Sequence, residues 1–366
     1  MKKQLKSATV LFLLLLAACS NTPSESSEPP ESQETAGREN PQAKVMADKL
    51  EVPWSINKTG DTFYVNERTG GIVKVADGKA TRMKVRLKEP LSQVPEAGFL
   101  GFVLHPDFPE TPSAYAYYTY QNSSTPHNRV VTLNLKGDVW EEEKTLLDDI
   151  PSGQYHHGGR LEIGPDKKLY ITTGDATVKE IAQDLNSLGG KILRMNLDGS
   201  IPRDNPFENS YVYSYGHRNP QGLAWNETGD FYSTEHGPSG FDEINLIKAG
   251  SNYGWPLITG DETREGMQKP AAHSGETAWA PSGAAFHDNH LYFAALRGQG
   301  VKRFSIDTGK VEEVLSGYGR VRDVFIEDGT LYFISNNTDG RGNPSENDDK
   351  LYKISLSELN TGRSEE

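Results

Sequence analysis

Two histidines and an aspartate flank a hairpin pattern near the middle of the chain. His156 and His157 lead into an apolar stretch, a turn follows at Pro165, and a second alternating stretch ends at Asp175. Antiparallel strands joined by a short turn bring the start of the first strand and the end of the second to the same edge of a sheet. We therefore expect one of the histidines to lie beside Asp175.

A histidine held by a carboxylate can act as a general base. The carboxylate fixes the tautomer and orientation of the imidazole and stabilises the imidazolium that forms when the ring takes a proton. The same residue types also occur at exposed strand ends without any catalytic role. The pair alone leaves both interpretations open, and the surrounding elements must decide between them.

The strand pattern around this hairpin recurs along the chain. Each unit has a short strand, a turn with Asp or Gly, a strand with an apolar-Tyr-apolar core, a variable loop and a third strand. Six such units begin at Pro53, Leu100, Gly159, Gln221, Ser282 and Arg322. A repeat of roughly 40 to 60 residues favours stacked blades over a sandwich or a solenoid, because one meander cannot bury both of its faces alone. The sequence therefore predicts an all-β fold, a six-bladed β-propeller.

A long polar segment, 176–190, interrupts the third unit. Loops that follow strand ends carry function more often than the strands themselves. We expect this segment to form a lip over the face that carries the histidine pair.

The N-terminus has the pattern of a signal peptide. Lys2, Lys3 and Lys6 precede an apolar run that is too short to span a bilayer as a permanent helix. Cys19, the only cysteine of the chain, follows the small residues that end this run. The pattern resembles a bacterial lipoprotein signal, whose cysteine becomes the lipidated first residue of the mature chain. An ordinary secretory signal is the alternative.

The sequence predicts four segments. Residues 1–18 form the signal peptide, 19–44 a disordered polar tether, 45–358 the propeller domain and 359–366 a polar tail. The tether is rich in Ser, Glu, Pro and Thr, so it cannot bury enough apolar surface to order itself. The mature protein would work outside the cytoplasmic membrane, anchored by the lipid on Cys19 and without a free thiol.

The net charge restricts the possible ligands. It is −13 for the whole chain, and removing Lys2, Lys3 and Lys6 with the signal peptide gives −16. A surface this acidic repels nucleic acid, so we exclude nucleic acid as a partner. An anionic ligand would need a local cluster of arginines.

Five motifs, in this order, resemble the soluble quinoprotein glucose/sorbosone (aldose sugar) dehydrogenase family. They lie at 98–108 (GFLGFVLHPDF), 156–175, 215–223 (YGHRNPQGL), 235–245 and 252–256 (NYGWP), and they cover nearly the whole domain. An ordered set of five motifs is far more specific than any one of them. The resemblance implies a six-bladed propeller that uses pyrroloquinoline quinone (PQQ) and Ca²⁺.

The resemblance also implies roles for individual residues. His156 would take the proton from the anomeric hydroxyl of the sugar, Asp175 would hold His156, and Arg218 would stabilise the negative charge that develops on the cofactor. Only this match separates His156 from His157. The implied cofactor contacts are Glu96, Arg218, Asn219, Ala295, Leu296, Arg297, Arg320, Val321 and Arg322. The implied metal ligands are Gly237 and Pro238 for a cofactor-bound Ca²⁺, with Glu243 and Tyr253 for a structural Ca²⁺.

The chemistry of these residues agrees with an anionic cofactor. PQQ carries three carboxylates, and guanidinium groups bind carboxylates in bidentate fashion. Arginines at the mouth-side ends of strands would supply a cationic pocket in an acidic protein: Arg218, Arg297, Arg320 and Arg322. Glu96 stands where other members of the family have a glutamine, so we expect it to repel the cofactor or to need a partner of its own.

Together with the N-terminal pattern, the resemblance implies a lipid-anchored, extracytoplasmic enzyme that oxidises the anomeric carbon of an aldose to the lactone. It would use PQQ and Ca²⁺ and pass electrons to an acceptor that the sequence does not identify. Two alternatives stay open, a quinone-free propeller that binds sugars and a Ca²⁺-dependent lactonase. Glu96 favours the first of these alternatives.

Overall fold

Strands dominate the computed structural model, which describes residues 42–121 and 125–360. Within these ranges the chain forms twenty-four β-strands, one 3-10 turn at Lys179–Ala182 and one short helix, α1, at Leu356–Asn360. The predicted all-β class is confirmed. No helix in the described ranges is long and apolar enough to cross a membrane. The predicted signal peptide, Cys19 and most of the predicted tether and tail lie outside the described residues.

The largest sheet has eight strands. They are β2 (Pro53–Thr59), β3 (Thr62–Glu67), β4 (Gly71–Ala76), β5 (Lys79–Arg86), β6 (Phe99–Leu104), β7 (Ser113–Tyr120), β8 (His127–Lys136) and β9 (Val139–Pro151). Their order is β2-β3-β4-β5-β9-β8-β7-β6. β5 and β9 pair in parallel, and all other neighbours in the sheet are antiparallel. The sheet is thus two four-stranded meanders joined at their outer strands.

Four further sheets each have four antiparallel strands. The first holds β10 (Leu161–Ile163), β11 (Leu169–Thr173), β12 (Lys191–Met195) and β13 (Val212–Tyr215). The second holds β14 (Pro220–Trp225), β15 (Phe231–Glu235), β16 (Glu243–Ile247) and β17 (Ala272–His273). The third holds β18 (Pro281–His287), β19 (His290–Ala295), β20 (Gly300–Ser305) and β21 (Val311–Ser316). The last holds β22 (Val321–Glu327), β23 (Thr330–Ser335), β24 (Leu351–Ser355) and the N-terminal β1 (Lys44–Ala47), which pairs with β24.

The meanders follow one another through their first strands. β2 contacts β6, β6 contacts β10, β10 contacts β14, β14 contacts β18, β18 contacts β22, and β22 contacts β2. Apolar side chains fill the spaces between neighbouring sheets, as Leu100 of β6 does against Leu161 of β10 and Ile171 of β11. Each buried side chain of this size contributes about 1.5–3 kcal/mol. This packing fixes the strand ends from which the site loops emerge.

The structure adds one strand to each predicted unit. The sequence pattern predicted three strands per unit, whereas each meander has a fourth, outer strand. The outer strands carry weak apolar patterns because they are largely exposed, as in β5, or very short, as in β17. Apolar and aromatic runs mark the inner strands, which are buried on both faces, and the outer strands lack such runs, so they escape sequence analysis.

The predicted hairpin is present. β10 and β11 pair in register from Leu161↔Ile171 to Ile163↔Leu169. Beyond these pairs the segments that flank the two strands stay close together. A Cβ at Gly174 would lie only 1.8 Å from the carbonyl oxygen of His156. A glycine is required at this crossing, and it lets the histidine pair and Asp175 meet at one edge.

Candidate active site

A cavity of about 480 Å³ lies at this edge and is lined by loops from several meanders. The residues predicted from the sequence that line it are Glu96, His156, Arg218, Asn219, Gly237, Pro238, Leu296, Arg297, Arg320 and Arg322. Asp175 lies directly behind His156. The structure therefore brings most of the predicted site residues together.

Two predicted cofactor contacts lie elsewhere. Ala295 ends β19 and Val321 begins β22, and both side chains are fully buried away from the cavity. Successive residues of a strand point to opposite faces. Their neighbours Leu296 and Arg320 therefore face the cavity in their place.

His156 and Asp175 form a hydrogen-bonded pair. Nδ1 of His156 lies 2.7 Å from Oδ1 of Asp175. The imidazole is partly exposed at the cavity, with 19% of its side-chain surface accessible, whereas the Asp175 side chain is 1% exposed. Because the carboxylate accepts from Nδ1, Nε2 is the nitrogen that can take a proton. The backbone of His156 has a φ of 65°, in the left-handed region that residues other than glycine seldom adopt.

His157 has no ring nitrogen left for a substrate. Its Nε2 lies 3.0 Å from the carbonyl oxygen of Pro95, and its Nδ1 lies 3.0 Å from the hydroxyl of Ser152. A carbonyl only accepts, so Nε2 carries the proton and Nδ1 accepts from Ser152. Burial is the main cause that lowers the pKa of His157. His157 thus acts as a neutral structural residue in this arrangement.

Three donors converge on Asp175. Besides His156, the backbone N of Thr177 donates to Oδ1 at 2.8 Å and Nε1 of Trp255 donates to Oδ2 at 2.8 Å. Burial alone would raise the pKa of this carboxyl, but the hydrogen bond and charge of His156, followed by the other donors, outweigh burial and lower it. Asp175 is therefore ionised at neutral pH and can stabilise an imidazolium.

Arg218 and Asn219 form the wall next to this pair. The carbonyl of Arg218 accepts from the backbone N of Asp175 at 2.8 Å, and Nη1 of Arg218 donates to the carbonyl of His236 at 3.1 Å. The Asn219 side chain accepts from the backbone N of Gly158 at 3.0 Å. Burial lowers the pKa of Arg218, while Asp175 and nearby carboxylates oppose this effect. The guanidinium remains a cation with unused donors.

Positive charge is in excess around the cavity. Six guanidinium groups and three carboxylates line it, so positive charges outnumber negative ones by three among the lining residues, with Asp175 and Glu235 behind the wall. The cations are Arg68, Arg218, Arg297, Arg320, Arg322 and Arg341, and the carboxylates are Glu96, Asp242 and Asp339. An acidic protein thus places six arginines around one cavity.

The arginines differ in how firmly they are held. Arg320 donates from Nε and Nη2 to Asp339 at 3.0 and 2.7 Å. Arg322 donates to Gln221 at 2.8 Å, and burial lowers its pKa to about 9, which leaves it charged at neutral pH. Arg68 and Arg297 form no side-chain hydrogen bond or ion pair with any residue in the described ranges. Two arginines are therefore fixed in place, and two have all their donors available for an anion.

Glu96 is paired with Arg341, which fulfils one of the two expectations for this residue. Nη1 of Arg341 donates to Oε1 of Glu96 at 2.6 Å, and the backbone N of His156 donates to Oε2 at 3.3 Å. Burial would raise the pKa of Glu96, but the charge and hydrogen bond of Arg341 lower it to about 2. Glu96 is thus an ionised carboxylate whose charge is compensated by Arg341. It also helps to hold the backbone of His156.

The predicted metal ligands lie in two places. Gly237 and Pro238 line the cavity, where the Gly237 N donates to Asp242 at 2.8 Å. Glu243 and Tyr253 line an adjoining, smaller cavity that Gly237 and Pro238 also line, and burial followed by the charge of Glu235 raises the pKa of Glu243 to about 8. Within 42–121 and 125–360, no group of three or more His, Cys, Asp or Glu residues could hold a metal. A Ca²⁺ at either place would depend on carbonyl oxygens.

Sequence reasoning missed several residues of the site. Arg68, Arg341 and Asp339 line the cavity, and Trp255 supports Asp175 from behind. The two arginines lie in loops without a strand pattern, so only the fold could reveal them. Trp255 belongs to the fifth motif noted above, which was the one available signal.

Sequence comparisons identify a matching family and named relatives. The glucose/sorbosone dehydrogenase family matches residues 50–351. Quinoprotein glucose dehydrogenase B of Acinetobacter calcoaceticus is 36% identical over 264 residues, covering 62% of this chain and 54% of that protein, so the match spans about half of that relative. Aldose sugar dehydrogenase YliI of Escherichia coli is 31% identical over 341 residues, covering 81% of this chain and 90% of that protein.

A solved structure shows the same likeness in three dimensions. The PQQ-bound form of aldose sugar dehydrogenase from Streptomyces coelicolor aligns with a TM-score of 0.80 at 35% identity. The alignment covers 86% of this chain and 99% of that chain. The likeness therefore extends over the domain that carries the cavity.

Proposed function

Because this chain belongs to the glucose/sorbosone dehydrogenase family, we propose that it oxidises the anomeric carbon of an aldose to the lactone with PQQ and Ca²⁺. It is an oxidoreductase that acts on sugar CH–OH groups, as the names of its relatives indicate. One observation carries the finer proposal. A histidine–carboxylate pair opens onto a cavity whose lining residues carry three more positive than negative charges.

The fold proposed for the domain is a six-bladed β-propeller. Six four-stranded meanders follow one another, and the first strand of the last meander contacts the first strand of the first. Each meander would be one blade, with β1 and the C-terminal strands sharing the last one. The cavity would then lie at one end of the central axis, where loops from all blades can reach a ligand.

The residues around the cavity fit PQQ. Its three carboxylates match the excess of three positive charges among the lining residues, and Arg68 and Arg297 have free donors for bidentate contacts. The volume of about 480 Å³ is within the ordinary range for a small-molecule site. Glu96 does not prevent PQQ from binding, because Arg341 compensates its negative charge.

The residues of this chain then have distinct tasks. PQQ, when bound, supplies the quinone that accepts a hydride from the anomeric carbon. His156 takes the proton of the anomeric hydroxyl at Nε2, because Nδ1 is held by Asp175 at 2.7 Å. Asp175 stabilises the resulting imidazolium, and Arg218 contributes positive charge beside it. Proton transfer by a positioned base is worth about 10²–10⁴-fold in rate.

Ca²⁺ is proposed at the two sets of predicted ligands. The carbonyls of Gly237 and Pro238 would hold the ion that accompanies the cofactor. The raised pKa of Glu243, next to the buried Glu235, shows a carboxylate that lacks a counter-charge. A bound cation would supply that charge, so the donors of the second site fit Ca²⁺ through carboxylate and backbone oxygens.

The proposed location is extracytoplasmic, with a lipid anchor on Cys19 and an unidentified electron acceptor. The supporting observation is the N-terminal sequence pattern alone. Cells that express the wild type and Cys19→Ala can be labelled with a clickable fatty acid. Label on the wild type that is absent from the variant supports the anchor, and an unlabelled wild type rejects it.

The enzyme proposal is tested by reconstitution. The purified protein is titrated with PQQ in the presence of Ca²⁺, and the bleaching of an electron-acceptor dye is followed with a panel of aldoses. We expect saturable PQQ binding and sugar-dependent bleaching, both weakened by a Ca²⁺ chelator. A protein that binds sugars but not PQQ would instead be a quinone-free binding module, and the proposal would fail.

A further inference from the structure

Trp255 stands behind the histidine–carboxylate pair. Its indole Nε1 donates to Oδ2 of Asp175 at 2.8 Å, while Oδ1 of the same carboxylate lies 2.7 Å from Nδ1 of His156. One carboxylate oxygen therefore faces the indole and the other faces the imidazole. Trp255 is 7% exposed and Asp175 is 0% exposed, so water does not compete for either contact.

The position of the indole is fixed from the backbone. The Trp255 N donates to the carbonyl of Gly216 at 2.9 Å, and the Trp255 carbonyl accepts from Nε2 of Gln183 at 2.7 Å. Gln183 belongs to the 176–190 segment, and its Oε1 accepts in turn from Asn252 at 2.8 Å. These bonds tie the tryptophan to the segment that follows Asp175 and to the segment that precedes Arg218.

Two cations face the indole ring. The guanidinium of Arg218 lies 5.4 Å from the ring centroid, and the ammonium of Lys179 lies 5.5 Å from it. A cation over the ring withdraws electron density and makes the N–H a stronger donor. The other titratable groups close to this unit are His156, Glu235, which accepts from the backbone N of Arg218, Glu96, which accepts from the backbone N of His156, and Asp242.

We propose that Trp255 is a positioning residue that keeps Asp175 ionised and turned towards His156. The proposal rests on the proposed function, in which His156 is the base. The indole donor stabilises the negative charge of Asp175 and occupies Oδ2, so that only Oδ1 meets the imidazole. Trp255 lines the smaller cavity beside Glu243 and Tyr253 but not the 480 Å³ cavity, so it acts on the base through Asp175 and not by contact with sugar or PQQ.

The kinetic test uses Trp255→Phe, with Trp225→Phe as the matched control. Trp225 stacks on Phe231 at 4.1 Å and takes no part in the hydrogen bonds of the pair. We expect Trp255→Phe to lower kcat about 10- to 100-fold, the usual effect of losing a partner that orients a functional group. KM should stay near the wild-type value.

The pH profile separates positioning from packing. Without the indole donor the histidine–carboxylate pair holds protons more tightly, so the acidic limb of kcat/KM moves to higher pH in Trp255→Phe. Trp225→Phe should keep the wild-type profile. A Trp255→Phe enzyme with an unchanged acidic limb would overturn the proposal, whatever its kcat.

A second measurement needs no turnover. The chain has five tryptophans, so the indole N–H signals of the ¹⁵N-labelled apo protein can be assigned by the loss of one in Trp255→Phe. We expect the Trp255 signal of the wild type to shift with pH as the pair titrates, and to shift again in Asp175→Asn. A signal that ignores both changes rejects the coupling. If the wild type binds no PQQ and oxidises no aldose, the proposed function fails, yet this titration still decides the role of Trp255.

Discussion

At the residue scale, hydrogen bonds decide which of two adjacent histidines is free to react. His157 is 2% exposed, and both of its ring nitrogens are engaged by Ser152 and Pro95. His156 gives only Nδ1 to Asp175 and keeps Nε2 at the cavity. The left-handed backbone of His156 turns the two side chains in different directions, so neighbours in sequence have different chemistry.

Alanine variants of the two histidines should therefore behave differently. We expect His156→Ala to lose about 10²–10⁴-fold in kcat, because the base is gone, while PQQ affinity changes little. His157→Ala should keep a working base but lose about 1–3 kcal/mol of stability, because the Pro95 carbonyl loses its donor. Dye-coupled kinetics, PQQ titration and thermal melts check both outcomes. If the two variants exchange these phenotypes, the base is His157.

The Glu96–Arg341 pair compensates a charge that the family resemblance left unexplained. Arg341→Ala would leave an unpaired carboxylate next to an anionic cofactor, and like charges at this distance repel. We expect PQQ to bind about tenfold more weakly to Arg341→Ala, which corresponds to about 1.4 kcal/mol. The double variant with Glu96→Gln should recover wild-type affinity. Equal affinities of Arg341→Ala and the wild type would show that Glu96 does not sense the cofactor.

The same pair has a pH signature. Its carboxyl has a pKa lowered to about 2 from the ordinary 4.5. The unfolded chain therefore binds the proton more readily than the folded protein does. The stability that the pair provides is fully present above pH 4.5 and is lost as the pH falls towards 2. We expect the difference in melting temperature between the wild type and Arg341→Ala to shrink over this range. A difference that stays constant down to pH 2 would contradict the assignment.

At the element scale, a buried lysine organises the segment that follows Asp175. Lys191 of β12 is 0% exposed, and its ammonium donates to the carbonyls of Ile181, Ala182 and Gly189 at 2.7, 3.1 and 2.6 Å. The 176–190 segment thus folds around the amino group of a strand lysine, whose pKa burial lowers to about 7. Its Gln183 then reaches Trp255, which links this segment to the candidate base.

Lys191→Met should release this segment. The buried Gly189 carbonyl would lose its donor, at a cost of about 1–3 kcal/mol if water does not reach it, whereas the carbonyls of Ile181 and Ala182 keep the backbone N–H groups of Asp184 and Gly216. We expect faster proteolysis between 176 and 190 and a lower kcat, with the exposed Lys84→Met of β5 as the control. Limited proteolysis with mass spectrometry locates the cut sites. Resistance equal to that of the control would show that other contacts hold the segment.

At the scale of the whole domain, the two ends of the described chain meet in one sheet. β1 pairs with β24 through Lys44↔Lys353, and Ala47 and Leu50 are buried in the cluster that joins this sheet to the first meander. Without β1 the edge of β24 would be exposed, and an open edge invites pairing with other chains.

Truncations test this closure. A chain that starts at residue 42 should melt at the temperature of the full mature chain, because it retains β1. A chain that starts at residue 51 should be less stable by at least about 1.5–3 kcal/mol for the lost leucine alone, and it should aggregate more readily. Thermal melts and light scattering distinguish the two. Equal stability of both chains would mean that β1 contributes nothing to closure.

The sequence by itself determined the elements and the reactive residue types. Short runs of apolar and aromatic residues bounded by turns mark buried strands, so the first three strands of each meander and the β10–β11 hairpin could be predicted. Turn chemistry then placed a histidine near Asp175. These features depend on residues close together in the chain.

Only the tertiary structure decided which residues share the cavity and which atoms are free. Glu96 and Arg341 are 245 positions apart, and Trp255 lies 80 positions from Asp175, so no local pattern connects them. Ala295 and Val321 belonged to the right segments but face away, because strand alternation assigns each side chain to a face only once the register is fixed. His156 was separated from His157 by hydrogen bonds to Asp175, Ser152 and Pro95, and such bonds form only when distant loops fold against one another.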